Sequence, residues 1–543
     1  MAGGTWVDQN KIRPGVYINY KSAPSSLATM GERGVVAIAR VLDWGERGKF
    51  YTIADPSDCE QFGHAITDDE VLFIRQILLG TNRTQGASKI LLWGLETPTV
   101  DTAASVKMSF GGTEYTITAK QAGPSGNSLS VVFENAGSIG TATYNFRLYN
   151  GETIVGTAGN ITNFSEITNA DIKALVDLPN SGAVGSFPKT NLSGGNVGSH
   201  KATATLGNLV ATAKYYGTFG NRLSVVITAG ASSNFIVQTL LDGQAVDSQT
   251  VSAISGLVAN DYVVWSGTGA LAVNTGVQLS GGTDGEAGTT NYSSFLDALE
   301  LENFNIVIYD GENATIQGAF VDFVKRLSNR EGIKCQAVIC NASPSPDNEC
   351  VINCYPQVLS LSDGSQLTAP QITWWVGGAE AGANVNESLT YATHPNAVDF
   401  SPKLNSAAQE TAIQSGQFAL ISNKGNVQVL TDINSFRTYA VEKGKAFSKN
   451  RVVRTVFGLC NDVYDVFSRY YIGAVSNDEE GRKALKGEIL GLMNRYQGIR
   501  ALQNVEVDDV TVLKGVDSDA VVVEIYCQPV DSIEKIYINI TIS

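Results

Sequence analysis

The frame A-K-x-x-G-x-x-G-N-x-L-S-V-V is written twice in this chain, as residues 119–132 and again as residues 213–226. A shorter phrase echoes behind each copy: Asn191-Leu-Ser-Gly-Gly195 behind the first, Gln278-Leu-Ser-Gly-Gly282 behind the second. The copies are offset by 94 residues at the front (213 − 119) and 87 at the back (278 − 191). Two related modules are the economical reading of such spacing, weighed against chance recurrence of common β-turn vocabulary. A Gly-rich turn also invites a phosphate-loop reading. That chemistry needs a Lys-Ser/Thr pair and a turn that opens a helix, whose free N–H groups bind the anion. Here Leu129 and Val131, and again Leu223 and Val225, follow in strand-like alternation. The glycines therefore read as structural, and Asn127 and Asn221 as turn residues rather than ligand contacts.

A chain of 543 residues has room for three or four domains. Its net charge of −15 argues against nucleic acid as a partner, because phosphate binding needs a basic surface. No stretch approaches the ~18 continuous apolar residues of a membrane span, so direct membrane insertion is not expected. The N-terminal residues have no apolar h-region, so an unexported chain is expected. The cysteines (Cys59, Cys335, Cys340, Cys350, Cys354, Cys460 and Cys527) are scattered, and Cys350-x-x-x-Cys354 has no second pair or nearby His to complete a zinc site. His64, His200 and His394 sit in no nucleophile or metal motif. No catalytic residue, metal or cofactor is expected.

The expected fold class is α+β and multidomain: an α/β core, inserted antiparallel β-sandwich-like modules, and terminal strand-donating arms. Residues 1–30 read as an arm and linker. Residues 31–96 read as the first part of the core, with a strand at Val35–Ala39, a helix opened by a Thr67/Glu70 capping box, and a strand at Lys89–Trp93. Residues 97–196 and 197–285 are the two β modules, with short alternating runs between Gly, Asn and Ser clusters. Residues 286–432 return to the core. There a strand near Asn305–Tyr309, a helix over 313–329 and a strand over 333–340 predict a right-handed crossover on a parallel pair. A hairpin is expected around Asn423–Asn426. Residues 433–530 carry two long helices and two strands (about 504–513 and 520–528), and residues 531–543 form a second arm.

The termini carry the strongest functional signal. In Gly15-Val16-Tyr17-Ile18-Asn19-Tyr20, Val16, Ile18 and Tyr20 share one face. In Ile536-Tyr537-Ile538-Asn539-Ile540-Thr541-Ile542 four isoleucines face one way and Tyr537, Asn539 and Thr541 the other. A lone strand with an apolar face is unstable in water. Each end either docks on the chain's own domain or adds to a sheet of a neighbour.

The ordered series RGVVAIARVLDWGERGKFYTI, YYGTFGNRLSVV, LSGGTDG and KGKAFSKNRVVRTVFGLCNDVYDVFSRYYIGAVSNDEEGRKALKGEI, with PGVY near the start and an isoleucine-rich end, resembles the tail sheath proteins of contractile phage tails, especially those of Gram-positive hosts. The resemblance implies a subunit that polymerises as stacked hexameric rings around an inner tail tube protein, with a baseplate and a tail terminator as further partners. It implies contraction that drives the tube through a cell envelope. It implies donated strands at Gly15–Tyr20 and Ile536–Ile542, received by Val507–Leu513 or Val521–Tyr526. It also implies a place in a virion tail or phage-tail-like particle, assembled in the bacterial host cytoplasm.

Between Arg437 and Arg454 the bases Arg437, Lys443, Lys445, Lys449, Arg451 and Arg454 face one acid, Glu442. Lys443, Lys445, Lys449, Arg451 and Arg454 form a candidate tube-facing patch, or simply a solvated helix start. Two other classes stay open at this level. One is a surface adhesin or carbohydrate-binding protein built on the β modules. The other is an enzyme using His64 or His394.

Overall fold

The computed structural model describes residue 31, residues 33–137 and residues 142–542. The Gly15–Tyr20 alternation lies outside the described residues. Among those described, eight α-helices occur: α1 (Leu72–Leu79), α2 (Ala170–Leu175), α3 (Thr289–Leu299), α4 (Ala314–Arg326), α5 (Ile372–Gly382), α6 (Ser406–Gln414), α7 (Asn450–Tyr470) and α8 (Glu479–Gly498).

The core is a seven-stranded sheet. Its strand Val35–Arg40, third in the order, lies parallel to Lys89–Gly94 on one side and to the central Ile306–Ile308 on the other, with Val36 opposite Ile306 and Ile38 opposite Ile308. Parallel pairing continues through Gln336–Cys340, Val351–Cys354 and Gln417–Phe418, while Phe50–Ile53 closes the far edge antiparallel to Lys89–Gly94. Strand side chains alternate between faces, and both faces are covered. Val36, Ile38, Ile90, Leu92 and Ile308 pack with Ile74 and Ile77 of α1 and Trp375 and Val376 of α5. Val35, Ala37, Val307, Ala337 and Ile339 pack with Phe295 of α3, Phe320 and Val324 of α4, and Val453 and Phe457 of α7. The result is a three-layer α/β unit into which residues from both sides of the β region enter.

The two β modules match strand for strand. In the first, Ala103–Phe110, Thr113–Ala122 and Val176–Asp177 form one sheet; Phe187–Asn191, Leu129–Asn135, Tyr144–Asn150 and Thr153–Ile161 form the other. In the second, Thr203–Leu206, Leu209–Ala213 and Val263–Gly267 form one; Val277–Gln278, Leu223–Ala229, Phe235–Leu241 and Gln244–Val251 form the other. Each pair of sheets encloses its own apolar core, around Phe133, Phe146 and Phe164 in the first and Phe219, Val225 and Ile227 in the second.

The repeated frame makes the crossing between the two sheets. A glycine with positive φ (Gly123 at 106°, Gly217 at 123°) opens a single 3-10 turn that runs into the next strand. The side chain of Asn127 then accepts from the Gly195 N–H at 2.9 Å and donates to its carbonyl at 2.8 Å. Asn221 does the same to Gly282, at 2.8 and 2.9 Å. Each asparagine staples the first phrase to the second, so the phrases recur together because they form one structural joint.

Several local details differ from expectation. The Thr67/Glu70 capping box does not form: neither the 3-10 turn Asp69–Val71 nor α1 has a side-chain cap. Asp68 instead accepts from the Ala65 N–H and lies against His64, which delays the helix. The 313–329 helix ends at Arg326 and continues as a π turn to Glu331. The two late strands are shorter, Val510–Lys514 and Val521–Ile525, with a 3-10 turn over Val507–Asp509. Residues 536–542 lie in no ladder.

Replacing Asn221 by Ala strands the buried Gly282 backbone groups. It should destabilise the second module by about 1–3 kcal/mol, read as a shifted midpoint in urea denaturation followed by tryptophan fluorescence.

Candidate assembly surface

The last backbone ladder of the chain pairs Leu502–Gln503 with Gln528–Pro529, and the Val530 N–H donates to the Ala501 carbonyl at 2.9 Å. The chain is held by side chains once more, at Glu534. Its carboxylate accepts from Thr390 Oγ1 at 2.7 Å, from Thr431 Oγ1 at 3.3 Å and from Lys449 Nζ, at the residue preceding α7. Beyond it every described residue is exposed. Ile536, Ile538, Ile540 and Ile542 are 75, 74, 82 and 92% exposed. The isoleucine face read from sequence has no counterpart in its own subunit among the described residues.

The other end of the described chain is held on the same helix. Asp462, in the middle of α7, accepts from the Gly31 N–H at 2.9 Å and from the Tyr496 hydroxyl at 2.6 Å. Tyr496 in turn accepts from the Arg33 guanidinium at 2.6 Å. Gly458, one turn earlier on α7, leaves the room in which Arg33 lies. Burial raises the Asp462 carboxyl above its ordinary range, against the hydrogen bond from Tyr496 and the charge of Arg33.

Beside these anchors stands the hairpin Val510–Lys514/Val521–Ile525, a sheet of only two strands. Val510 packs with Leu485, Ile489 and Tyr496 of α8. Leu513, Val522 and Tyr526 remain exposed.

The five-residue basic patch does not exist as one surface. Arg454 is buried at 8% exposure and donates to Glu380 of α5 and to the Glu387 carbonyl, with Asp432 3.8 Å away. Lys449 is engaged with Glu534, and Lys443 with Glu349 at 2.5 Å. Arg451 is half-buried with the charge of Asp531 acting on it. Of the five, Lys445 alone is exposed as a whole residue, while the Lys443 side chain is 41% exposed beside Glu349. A local charge count misses the acids that tertiary structure brings in from positions 349, 380, 432 and 534. Two signals pointed to Arg454. It lies among Val452, Val453, Val456 and Phe457, and Glu380 is the lone acid of an apolar helix, a position that demands a buried cation. Burial and then the charge of Asp432 hold the Glu380 carboxyl well above its ordinary range despite Arg454. Glu534 left no comparable mark in the sequence.

The histidines have structural surroundings. His394 is buried against Trp375, its Nε2 2.9 Å from Gln76 Oε1, and burial pushes its pKa down to about 4. His200 Nε2 lies 2.9 Å from Asp101 between the modules. His64 is buried where the core meets the second module: Phe219 lies edge-on to its ring, and Trp44 of the core packs on Phe219 and Tyr215. Its Nε2 is 2.8 Å from Asp43 and its Nδ1 3.2 Å from Asp68. Only the imidazolium form can donate to both carboxylates at once. Among the described residues, His64, Asp68 and Glu70 are the set of such groups close enough to hold a cation, within 4.8 Å. Both His64 nitrogens already face carboxylates, so a cation would have to displace one.

Three family models match the chain: the phage tail sheath protein beta-sandwich domain over residues 198–284, the phage tail sheath protein central domain over 285–435, and the phage tail sheath C-terminal domain over 442–543. The fold is similar to a sheath tail protein from Desulfitobacterium hafniense, with a TM-score of 0.69 and 34% identity over 96% of this chain and 99% of the other. It is also similar to one from Listeria innocua, with a TM-score of 0.62 and 25% identity over 94 and 95%. The "phage-like element PBSX protein XkdK" of Bacillus subtilis (strain 168) is 27% identical over the full length of both chains. The architecture is that of a structural subunit built for assembly, an α/β core carrying β-sandwich modules. The chain belongs to the phage tail sheath family, and this displaces the adhesin reading that the β modules alone left open.

Burial by itself would lower the His64 pKa; the hydrogen bonds to Asp43 and Asp68 and the charges of Asp43 and Glu70 outweigh it, and the net displacement is upward. The stability this contributes is complete below the ordinary value of about 6.5 and is lost as pH rises through the raised one. Urea denaturation across that range should show stability falling with pH, and His64→Gln should flatten that part of the profile.

Proposed function

We propose that this sheath subunit polymerises as stacked hexameric rings around an inner tube, linked by exchanged terminal strands. On a baseplate signal the sheath shortens and drives the tube through a target envelope. The energy is stored at assembly, so firing needs no nucleotide. The partners are further copies of this chain, the tube protein, a baseplate and a terminator, and assembly takes place in the bacterial host cytoplasm.

The observation that carries this reading is the isoleucine face at 536–542, which is exposed throughout and enters no ladder among the described residues. Burying four isoleucines on a neighbour is worth roughly 1.5–3 kcal/mol each, of the same order as the ~4–15 kcal/mol that association costs. The two-stranded hairpin Val510–Lys514/Val521–Ile525 is the receiving site this reading favours, since so small a sheet gains from further strands. The domain limits 31–96 with 286–432 for the core, 97–196 and 197–285 for outer modules, and 433–530 for the C-terminal domain serve the same reading. Gly15–Tyr20 would be the second donated strand. Of the basic segment, Lys445 is the residue free to meet an acidic tube surface.

A chain ending at Val530 should fail to form the helical tubes that the intact chain forms under negative-stain electron microscopy; tubes from both would sink the strand-exchange reading. Lys445→Glu should leave those tubes intact but lower co-assembly with tube protein at low salt, and an unchanged yield would make Lys445 a bystander.

A further inference from the structure

We propose that Glu534 sets the free length of the C-terminal arm, by fastening the chain to the start of α7 so that only residue 535 onward can reach a neighbour. This rests on the strand-exchange reading above and adds to it the residue that positions the arm.

The geometry separates two kinds of attachment. Backbone pairing ends with Val530, whose N–H meets the Ala501 carbonyl. If that were the last attachment, the twelve residues to Ile542 would span about 40–43 Å when extended. With Glu534 fastened, eight residues remain, spanning about 26–29 Å. One side chain thus removes a third of the reach.

Its surroundings form a built socket. Glu534 is 16% exposed and Lys449 20%. The donors come from three separate segments: Thr390 from the loop after α5, Thr431 from the loop after the Asn426–Val429 strand, and Lys449 from the entry to α7. Lys449 also donates to Thr431 Oγ1 at 3.0 Å, and Thr390 Oγ1 accepts from the Asp432 N–H at 2.9 Å. The Ser532 hydroxyl donates to Glu534 at 3.2 Å from within the segment itself. The bond from Lys449 to the carboxylate is charge-assisted. Up to Glu534 exposure alternates, with Ser532 and Glu534 half-buried beside the exposed Asp531 and Ile533, and every described residue after Glu534 is exposed.

A shorter free arm defines the recipient. It sets an upper limit on how far away the receiving sheet can lie and leaves fewer conformations to lose on capture. Contacts to subunits farther away are disfavoured.

The test compares the full chain with Glu534→Gln, with Lys449→Glu, with the swapped pair Lys449→Glu/Glu534→Lys, and with a chain ending at Lys535. Two quantities are read: the critical concentration for tube formation, and trypsin cleavage after Lys535 in unassembled subunits. Both single variants should raise the critical concentration and speed cleavage about tenfold, the size of losing a charged hydrogen bond, at an unchanged melting temperature. The swapped pair should recover most of the critical concentration, the readout used for it because its new lysine is itself a trypsin site. If both single variants behave as the native chain while the chain ending at Lys535 forms no tubes, the arm stands and the anchor is overturned. Single variants that lose assembly without recovery in the swapped pair also overturn it, because a fastening that depends on opposite charges is then excluded. Tubes from the chain ending at Lys535 would overturn strand exchange itself, and the anchor with it.

Discussion

The fold depends on one strand finding two partners. Val35–Arg40 pairs with Lys89–Gly94, close in sequence, and with Ile306–Ile308, about 270 residues away. The second pairing closes a loop of great length, whose entropic cost grows only slowly with the number of residues enclosed. It is offset by apolar burial on both faces, since residues alternate between the α1/α5 layer and the α3/α4/α7 layer. The β modules can be accommodated within that loop because they bury their own cores and need from the α/β unit only a joint. Trp44 and the His64 cluster supply that joint for the second module.

Buried charge is used sparingly and for position. Arg454 links α7 to α5 through Glu380 and to the strand exit through Asp432. Replacing such a group by hydrocarbon need not weaken a protein, but removing one partner alone leaves an uncompensated charge in the interior. The charges near it serve to place chain segments. Asp462 holds Gly31 and Tyr496, and Lys449 holds Glu534. Specific location is what these contacts add beyond the apolar packing around them.

Much of the architecture was legible from residues alone. Repeated phrases at nearly constant offset predicted paired modules, and the structure matches them strand for strand because Asn127 and Asn221 each tie the two phrases of a copy together. The parallel crossover through α4 was legible from a short apolar strand, a helix with Phe320 and Val324 on one face, and another apolar strand. The exposed isoleucines were legible from alternation. Charge was not. Thr67 and Glu70 fit the pattern of a capping box, but His64, buried by a module more than a hundred residues away, drew Asp68 into a different turn. The basic run before α7 looked like a surface until acids distant in sequence were placed against it. Periodicity is a local property, whereas the partner of an ion is chosen by the tertiary fold.

Both described ends of this chain are fastened to α7, at Asp462 and at Lys449, about 20 Å apart along the helix at 1.5 Å per residue. The helix is therefore a strut between two attachment points. A pull applied through either terminus enters the molecule at α7 and is resisted by helix hydrogen bonds and by the sheet packed on Val453 and Phe457. Residues 97–285, the β modules, enter none of the contacts that fasten either described end, so a change within a module leaves both fastenings in place.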